Sequence, residues 1–251
     1  MHRHPCRWSA PLIVLGLLCG GSWVPAQAET PAAGPESTVA PHPAHFPHSF
    51  LLPMAVPGRQ GSFDLQVNPL LQTSDGSSLD VGGHLSYGLF DWGGVHLRSL
   101  GAATTRFTEV IAMVGLLRDQ RRTRGLSLLA IVGIPTGPEA EAKHGGWAYL
   151  LGATWRLTPR SWLQWDANLH YDFSAHHLVP ESGLVARLAT DWFASLDAQA
   201  TLGGGTRLSL LPGLKLRVAS GLFVGAGFQF PLTDARDFDR RFYLQLEWAR
   251  H

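Results

Sequence analysis

The sequence predicts an all-β protein, a transmembrane antiparallel up-and-down β-barrel of about twelve strands with a range of ten to fourteen. Three observations predict it. Apolar and polar residues alternate with period two in segment after segment, tight turns alternate with longer polar links, and aromatics gather near strand ends on the apolar face.

The alternation is plainest in "SWLQWDANLHYDF" (161–173). Leu163, Trp165, Ala167, Leu169, Tyr171 and Phe173 share one face, and Gln164, Asp166, Asn168, His170 and Asp172 the other. Successive side chains of a strand point to opposite faces, so this run has one greasy and one wet side. "SFDLQVNPLLQ" sets Phe63, Leu65, Val67 and Leu71 against Asp64, Gln66, Asn68 and Gln72. "WAYLLGATWRL" sets Trp147, Tyr149, Leu151, Ala153, Trp155 and Leu157 against Gly152, Thr154 and Arg156. "TRLSLLPGLKLRV" and "FYLQLEW" repeat the rhythm, the first with Lys215 and Arg217 on its polar face, the second with Gln245 and Glu247. Segments 107–117 and 125–134 are apolar on both faces, so their orientation stays open.

Turn chemistry sets the connections. "SYGLFDWGGVHL", "TWRLTPRSWLQW", "ARLATDWFASLD" and "LKLRVASGLFVG" each read as strand, tight turn, strand. Their unequal spacing argues against a solenoid repeat. Between them lie "PTGPEAEAKHGG", "SAHHLVPESG" and "TDARDFDR", with shorter links at "TSDGSS", "GAATTR" and "GGGT". Short turns at one end and longer loops at the other are the habit of outer-membrane barrels. "RDQRRTRG" (118–125) departs from it as a long basic turn on the short-turn side.

Alternation alone does not say whether the apolar face meets a core or lipid. Roughly eight strands already enclose a bore that side chains just fill. Apolar residues inside a twelve-stranded ring would leave a costly dry void, so the apolar face is expected to meet lipid. A two-sheet soluble sandwich escapes that argument. The aromatics answer it: Tyr87, Trp147, Trp155, Tyr171, Phe173 and Trp248 are placed as an interfacial girdle. The last strand closes near the C-terminus on Trp248, a pattern that barrel-assembly machinery favours, with Ala249-Arg250-His251 trailing it. Expected partners are therefore outer-membrane lipid, the assembly machinery and a small solute.

The N-terminus reads as a secretory signal over 1–28. Arg3 and Arg7 supply the positive start, "PLIVLGLLCGG" the apolar stretch, and Ala26-Gln27-Ala28 a small-residue cleavage site. Cys6 and Cys19 both fall inside it, so the exported chain is expected to carry no thiol. A lipid anchor on Cys19 is the weaker reading, because Leu18 stands where such sites want a small residue. Residues 29–60 are rich in proline and alanine and are expected to form a flexible periplasmic segment, with the barrel at 61–251. His42, His45 and His48 recur every third residue there. They are weak metal candidates, set against the simpler reading of a solvated tail.

Charge excludes one class of function. Twenty Lys and Arg balance nineteen Asp and Glu and are scattered, which argues against a nucleic-acid binder. No run approaches the ~20 apolar residues of a spanning helix, which leaves strands as the way across a membrane. The polar faces would line a lumen with Asp64, His84, Arg98, Arg156, Gln164, Asp166, Asn168, His170, Asp172, Arg187, Lys215, Arg217, Gln229, Gln245 and Glu247. Both signs are present, so no ion preference follows. Either these groups border an aqueous path, or opposite charges pair and close the interior. Trp162, Phe193, Leu211 and Phe223 are also expected to point inward, against an amphipathic solute or as filling.

"GIPTG" (133–137), "LLPGLKLRV" (210–218) and "GFQFPLTDARDFDRRFYLQLEW" (227–248) resemble the outer-membrane barrels of the MetA-pathway phenol-degradation type. The resemblance covers most of the chain after Gly61 and implies an outer-membrane barrel that passes small organic compounds. It carries no catalytic residues and no cofactor. The expected function is thus a channel or transporter of the bacterial outer membrane, with a closed structural or adhesive barrel as the alternative. A lipid-modifying enzyme or a soluble periplasmic β-protein are more distant alternatives. "HYDFSAHH" does supply His170, Asp172, Ser174, His176 and His177, but no nucleophile motif surrounds the serine, so no catalytic residue is assigned. His176 and His177, and His144 near Glu139 and Glu141, are further weak metal candidates on solvated loops.

Overall fold

Period-two alternation becomes a ring. The computed structural model describes residues 46–52, 55–74, 76–100, 107–119, 121–136, 146–236 and 238–250. Among them run twelve strands: β1 Phe63–Ser74, β2 Gly76–Phe90, β3 Gly93–Leu100, β4 Phe107–Arg118, β5 Arg124–Pro135, β6 Ala148–Arg160, β7 Leu163–Asp172, β8 His177–Arg187, β9 Trp192–Thr201, β10 Arg207–Ala219, β11 Leu222–Pro231 and β12 Arg240–Arg250. Each pairs antiparallel with its neighbours in chain order, and β12 returns to β1, so the sheet is a closed barrel without edges. Closure satisfies the ladder hydrogen bonds that an open sheet would leave exposed.

Register at the seam keeps the two faces in phase. Gln66 lies opposite Glu247, Leu65 opposite Trp248 and Val67 opposite Leu246. Polar thus meets polar inside and apolar meets apolar outside. A slip of one residue would turn every side chain of a strand to the wrong face. The Phe63 ring meets Trp248 edge-on at 5.0 Å across this seam.

Five turns and both barrel termini share one end. The turns span 91–92, 119–123, 161–162, 188–191 and 220–221. Gly221 sits at φ 71°, and a Cβ there would lie 2.2 Å from the Ala249 carbonyl oxygen, so the β10–β11 turn requires glycine. The opposite end carries the longest connections, 101–106, 136–147 and 232–239, but Asp75 alone separates β1 from β2. The expected long link over 174–183 is only the four-residue turn 173–176, because β8 already begins at His177. The basic link reads as the 119–123 turn, where Asp119 accepts from the Thr123 hydroxyl and the Arg124 amide.

The two apolar segments are settled by burial. Ile111, Met113, Leu129 and Ile131 point inward and, with Leu150, form an apolar cluster on the inner wall. Val110, Val114 and Leu128 face out.

Residues 46–58 depart from the expected flexible segment over its described part. Phe46, His48, Ser49, Phe50, Leu52, Ala55 and Val56 are all buried. The barrel wall is cut away to receive them. A Cβ on Gly125 would lie 2.2 Å from Val56 Cγ1, on Gly213 2.4 Å from the Phe50 ring, and on Gly183 2.9 Å from Ser49 Cβ. Proline prevents this stretch from joining a ladder but not from packing, and Phe46, Phe50, Leu52 and Val56 give it apolar surface to bury. The expected signal at 1–28, the first part of the tail, His42 and His45, and the weak metal candidates His144, Glu139 and Glu141 lie outside the described residues.

Gly125→Ala should lower barrel stability by about 1–3 kcal/mol, the usual cost of overpacking. Urea unfolding in detergent measures it, and adding Val56→Gly should recover most of the loss.

Candidate functional site

The interior is built from the wall inward. Cross-strand neighbours on the inner face provide the charge pairs, because facing residues of adjacent strands bring their side chains together. Arg98 and Glu109 are opposite each other on β3 and β4, with Arg98 Nη2 2.6 Å from Glu109 Oε2. Arg156 and Asp166 are opposite on β6 and β7. The guanidinium forks onto both carboxylate oxygens at 2.8 Å, and Gln164 Nε2 adds a third donor at 3.0 Å. On β8 Glu181 accepts from Asn168 at 2.9 Å and Gln199 at 2.7 Å. Gln229 donates to Ser209 and accepts from the Tyr243 hydroxyl, each at 2.9 Å. Opposite charges therefore pair along the wall, between neighbouring strands.

A denser network surrounds the inserted segment. The His48 amide donates to both oxygens of Glu247 at 3.1 Å. Its Nδ1 lies 2.8 Å from Gln66 Nε2, 3.4 Å from Asp64 Oδ1 and 3.5 Å from Glu247 Oε1. The Lys215 ammonium donates to the His48 carbonyl and to Gln245, and stands 3.7 Å from Glu247 Oε2. The Phe50 amide donates to Asp197 at 3.1 Å, and Lys215 lies over the Phe50 ring at 4.3 Å. His48, Asp64 and Glu247 hold ligand atoms within 4.8 Å of one another, a donor set that suits a divalent cation. Lys215 already brings a positive charge to Glu247, so part of the cluster's negative charge is offset within the protein itself.

Among the proposed lumen residues, Asp64, His84, Gln164, Asp166, Asn168, His170, Lys215, Gln229, Gln245 and Glu247 are buried. Arg98, Arg156, Asp172, Arg187 and Arg217 are half-buried. Arg98 and Arg156 lie in pairs, and Asp172 caps the 173–176 turn by accepting from the Ser174 and Ala175 amides. Arg187 and Arg217 stack over aromatic rings, Arg187 on Phe46 and Phe193, and Arg217 on Phe193 and Phe223. Phe193, Leu211 and Phe223 are inward and buried. Trp162 is not: it sits in the β6–β7 turn, 51% exposed, where strand alternation no longer applies.

The proposed girdle is exposed at Tyr87, Trp147, Phe173 and Trp248, and half-buried at Trp155 and Tyr171. Trp155 is covered by Trp165, and Tyr171 by Phe173. Phe90, Trp92 and Trp192 are exposed at the short-turn end and were not anticipated. Gln66, His96, Glu109, Glu181 and Asp197 are further buried polar residues. Carrying the alternation inward from Phe193 through Ser195 would have found Asp197. His84 and His96 stack with Nε2 3.0 Å from Nδ1, a neighbouring-strand pair that no spacing within one strand could reveal.

The hydroxyl of Ser174 serves the turn, accepting from the Tyr149 amide at 3.2 Å and donating to the Trp147 carbonyl at 3.3 Å. His176, exposed at φ 56°, lies 3.4 Å from the Tyr171 hydroxyl, and His177 opens β8.

By sequence, no family model and no curated protein matches the chain. By structure, the barrel is similar to the KdgM porin solved in complex with disordered oligogalacturonate. The TM-score is 0.58 at 10% identity, over 76% of this chain and 99% of that one. It is similar to the NanC porin (0.56, 8%, 74% and 97%). An outer membrane channel from Pseudomonas putida F1 aligns with a TM-score of 0.56 at 10% identity, over 78% of this chain and 98% of that one. At such identities the likeness is one of fold, that of the porin and channel barrels.

Removing one member of the Arg156–Asp166 pair, as in Asp166→Asn, should cost about 3–5 kcal/mol, because it strands a charge away from bulk water. Replacing both by Met and Leu should cost far less. Urea unfolding of both variants against the parent measures the difference.

Proposed function

We propose that the chain is an outer-membrane barrel that conducts small solutes. The observation that carries the reading is the sorting of side chains by face. Leu85, Leu97, Leu128, Leu184, Leu214 and Leu244 are exposed on the outside, while charged and amide groups are buried within. Water would not tolerate an apolar belt round the whole ring, whereas lipid would. The likeness to porin and channel barrels supports the same reading. The aromatics at both ends, among them Trp92, Trp147 and Trp248, are the girdle of such a barrel. The short-turn end faces the periplasm, and Trp248 of β12 serves recognition by the assembly machinery.

The cargo is a small organic compound. Two features support this: the resemblance of 133–137, 210–218 and 227–248 to the phenol-degradation barrels, and the apolar patch of Ile111, Met113, Leu129, Ile131 and Leu150 on the inner wall beside the charged pairs. Amphipathic solutes could exchange contacts between that patch and the charged pairs. A second reading, a closed structural barrel, draws on one observation, that residues 46–52 and 55–58 lie in the interior.

Two measurements test the proposal. Leu214, 51% exposed near the middle of β10, should cost about 2–4 kcal/mol when replaced by arginine if it faces the bilayer midplane. A neutral or stabilising effect in lipid vesicles would place that face in water. The refolded protein in a planar bilayer should also give discrete conductance steps. A folded barrel that stays silent even with residues 46–58 weakened would leave the structural reading standing.

A further inference from the structure

We propose that residues 46–52 and 55–58 form a plug, a re-entrant segment that closes the bore from the short-turn end and must move for a solute to pass. The inference rests on the channel reading above.

The path of the segment is the first argument. Phe46 packs with Val185, Phe193 and Phe223 where β8, β9 and β11 meet the short turns. Phe50 then lies against Leu70, Leu211 and Tyr243 on β1, β10 and β12. From there the segment changes sides. The Leu51 carbonyl accepts from Arg98 on β3, the Ala55 carbonyl accepts from Ser127 on β5, and Val56 fills the space over Gly125. In a ring ordered β1 to β12, the β10–β11 wall and the β4–β5 wall are diametrically opposed. A segment that touches both crosses the bore.

The fit is the second argument. Gly125, Gly183, Gly213, Gly225 and Gly227 each lack a side chain where the segment places Val56, Ser49 with Leu52, or Phe50. A wall filled without regard to the segment would have no reason to be bare at those places.

The third argument is how the two limbs are held. The second runs directly into β1 and is fixed at its base: the Arg122 side chain donates to the Pro57 carbonyl, the Ser62 hydroxyl to the Arg59 carbonyl, and the Gly61 amide to the Gly88 carbonyl of β2. Among the described residues, the first limb, 46–52, shows no backbone ladder to the wall. It is gripped by side chains, chiefly His48 among Asp64, Gln66, Lys215 and Glu247, and Phe50 with Asp197. Water can replace each of those polar contacts. The geometry therefore makes residues 46–52 the part that leaves, and 57–62 the part about which it swings.

A reversible lock tests this. Ser49→Cys with Gly183→Cys brings two thiols together, since a Cβ at Gly183 lies 2.9 Å from Ser49 Cβ and a bridge needs only a small adjustment. Cys6 and Cys19 are changed to serine so that no other thiol competes. Single-channel recording then compares the oxidised and reduced protein. A second variant, His48→Ala with Phe50→Ala, weakens the grip without a crosslink. Oxidation should lower open probability on the order of 10-fold or more, as expected of a covalent tether on the closed state. Reduction should restore it, and the weakened variant should open more often than the parent. Equal conductance in oxidised and reduced forms, with the bridge confirmed by mass spectrometry, would overturn the plug and leave the channel. Failure of the two cysteines to bridge would also overturn it, by placing the segment elsewhere. Silence of every variant in a folded barrel would overturn the channel reading itself.

Discussion

The bore of a twelve-stranded ring governs this structure. Eight strands can fill their own interior with side chains, whereas twelve leave a space that side chains reaching in from the wall do not close. Empty space of that size is costly if dry and conducting if wet. The chain meets the constraint in three ways. Charged and amide groups pair along the wall, an apolar cluster covers the β4–β5–β6 side, and residues 46–52 and 55–58 occupy the middle. All three depend on the alternation staying in phase round the ring, including the β1–β12 seam where Gln66 meets Glu247.

The placing of charge has a consequence for how the interior behaves. Arg98 with Glu109 and Arg156 with Asp166 are local pairs, each formed by residues that face each other on adjacent strands. Such pairs neutralise the wall without bridging the bore, so they do not compete for the space that the inserted segment fills. Asp64, Lys215, Asp197 and Glu247 hold the inserted segment, joined by Arg98 on the Leu51 carbonyl and Arg187 over the Phe46 ring. They grip its amides and carbonyls, which any peptide would offer, together with the His48 ring and the Phe50 ring, which this segment alone supplies.

Much of the ring was legible in the sequence, because period two is a local signal. The strand carrying Gln164, Asp166, Asn168 and His170 declared its inner face without help from any other part of the chain. The β4 and β5 segments did not, since Ile111, Met113, Leu129 and Ile131 are apolar for a tertiary reason, their shared cluster inside the barrel. Trp162 misled because it belongs to a turn, where neighbours no longer alternate. Residues 46–58 were the least legible. Their prolines and lack of period read as an unstructured tail, and what orders them is complementarity to glycines scattered over β5, β8, β10 and β11. Nothing within the segment itself encodes those distant gaps.

The central claim, that this stretch is an integral part of the folded interior, is tested most directly by hydrogen exchange on the protein in lipid bilayers. The amides of His48 and Phe50, held by Glu247 and Asp197, should be protected to a degree approaching that of the strand amides. Exchange at the rate of an unstructured peptide would contradict the account, and would leave the barrel with an open bore and a free tail.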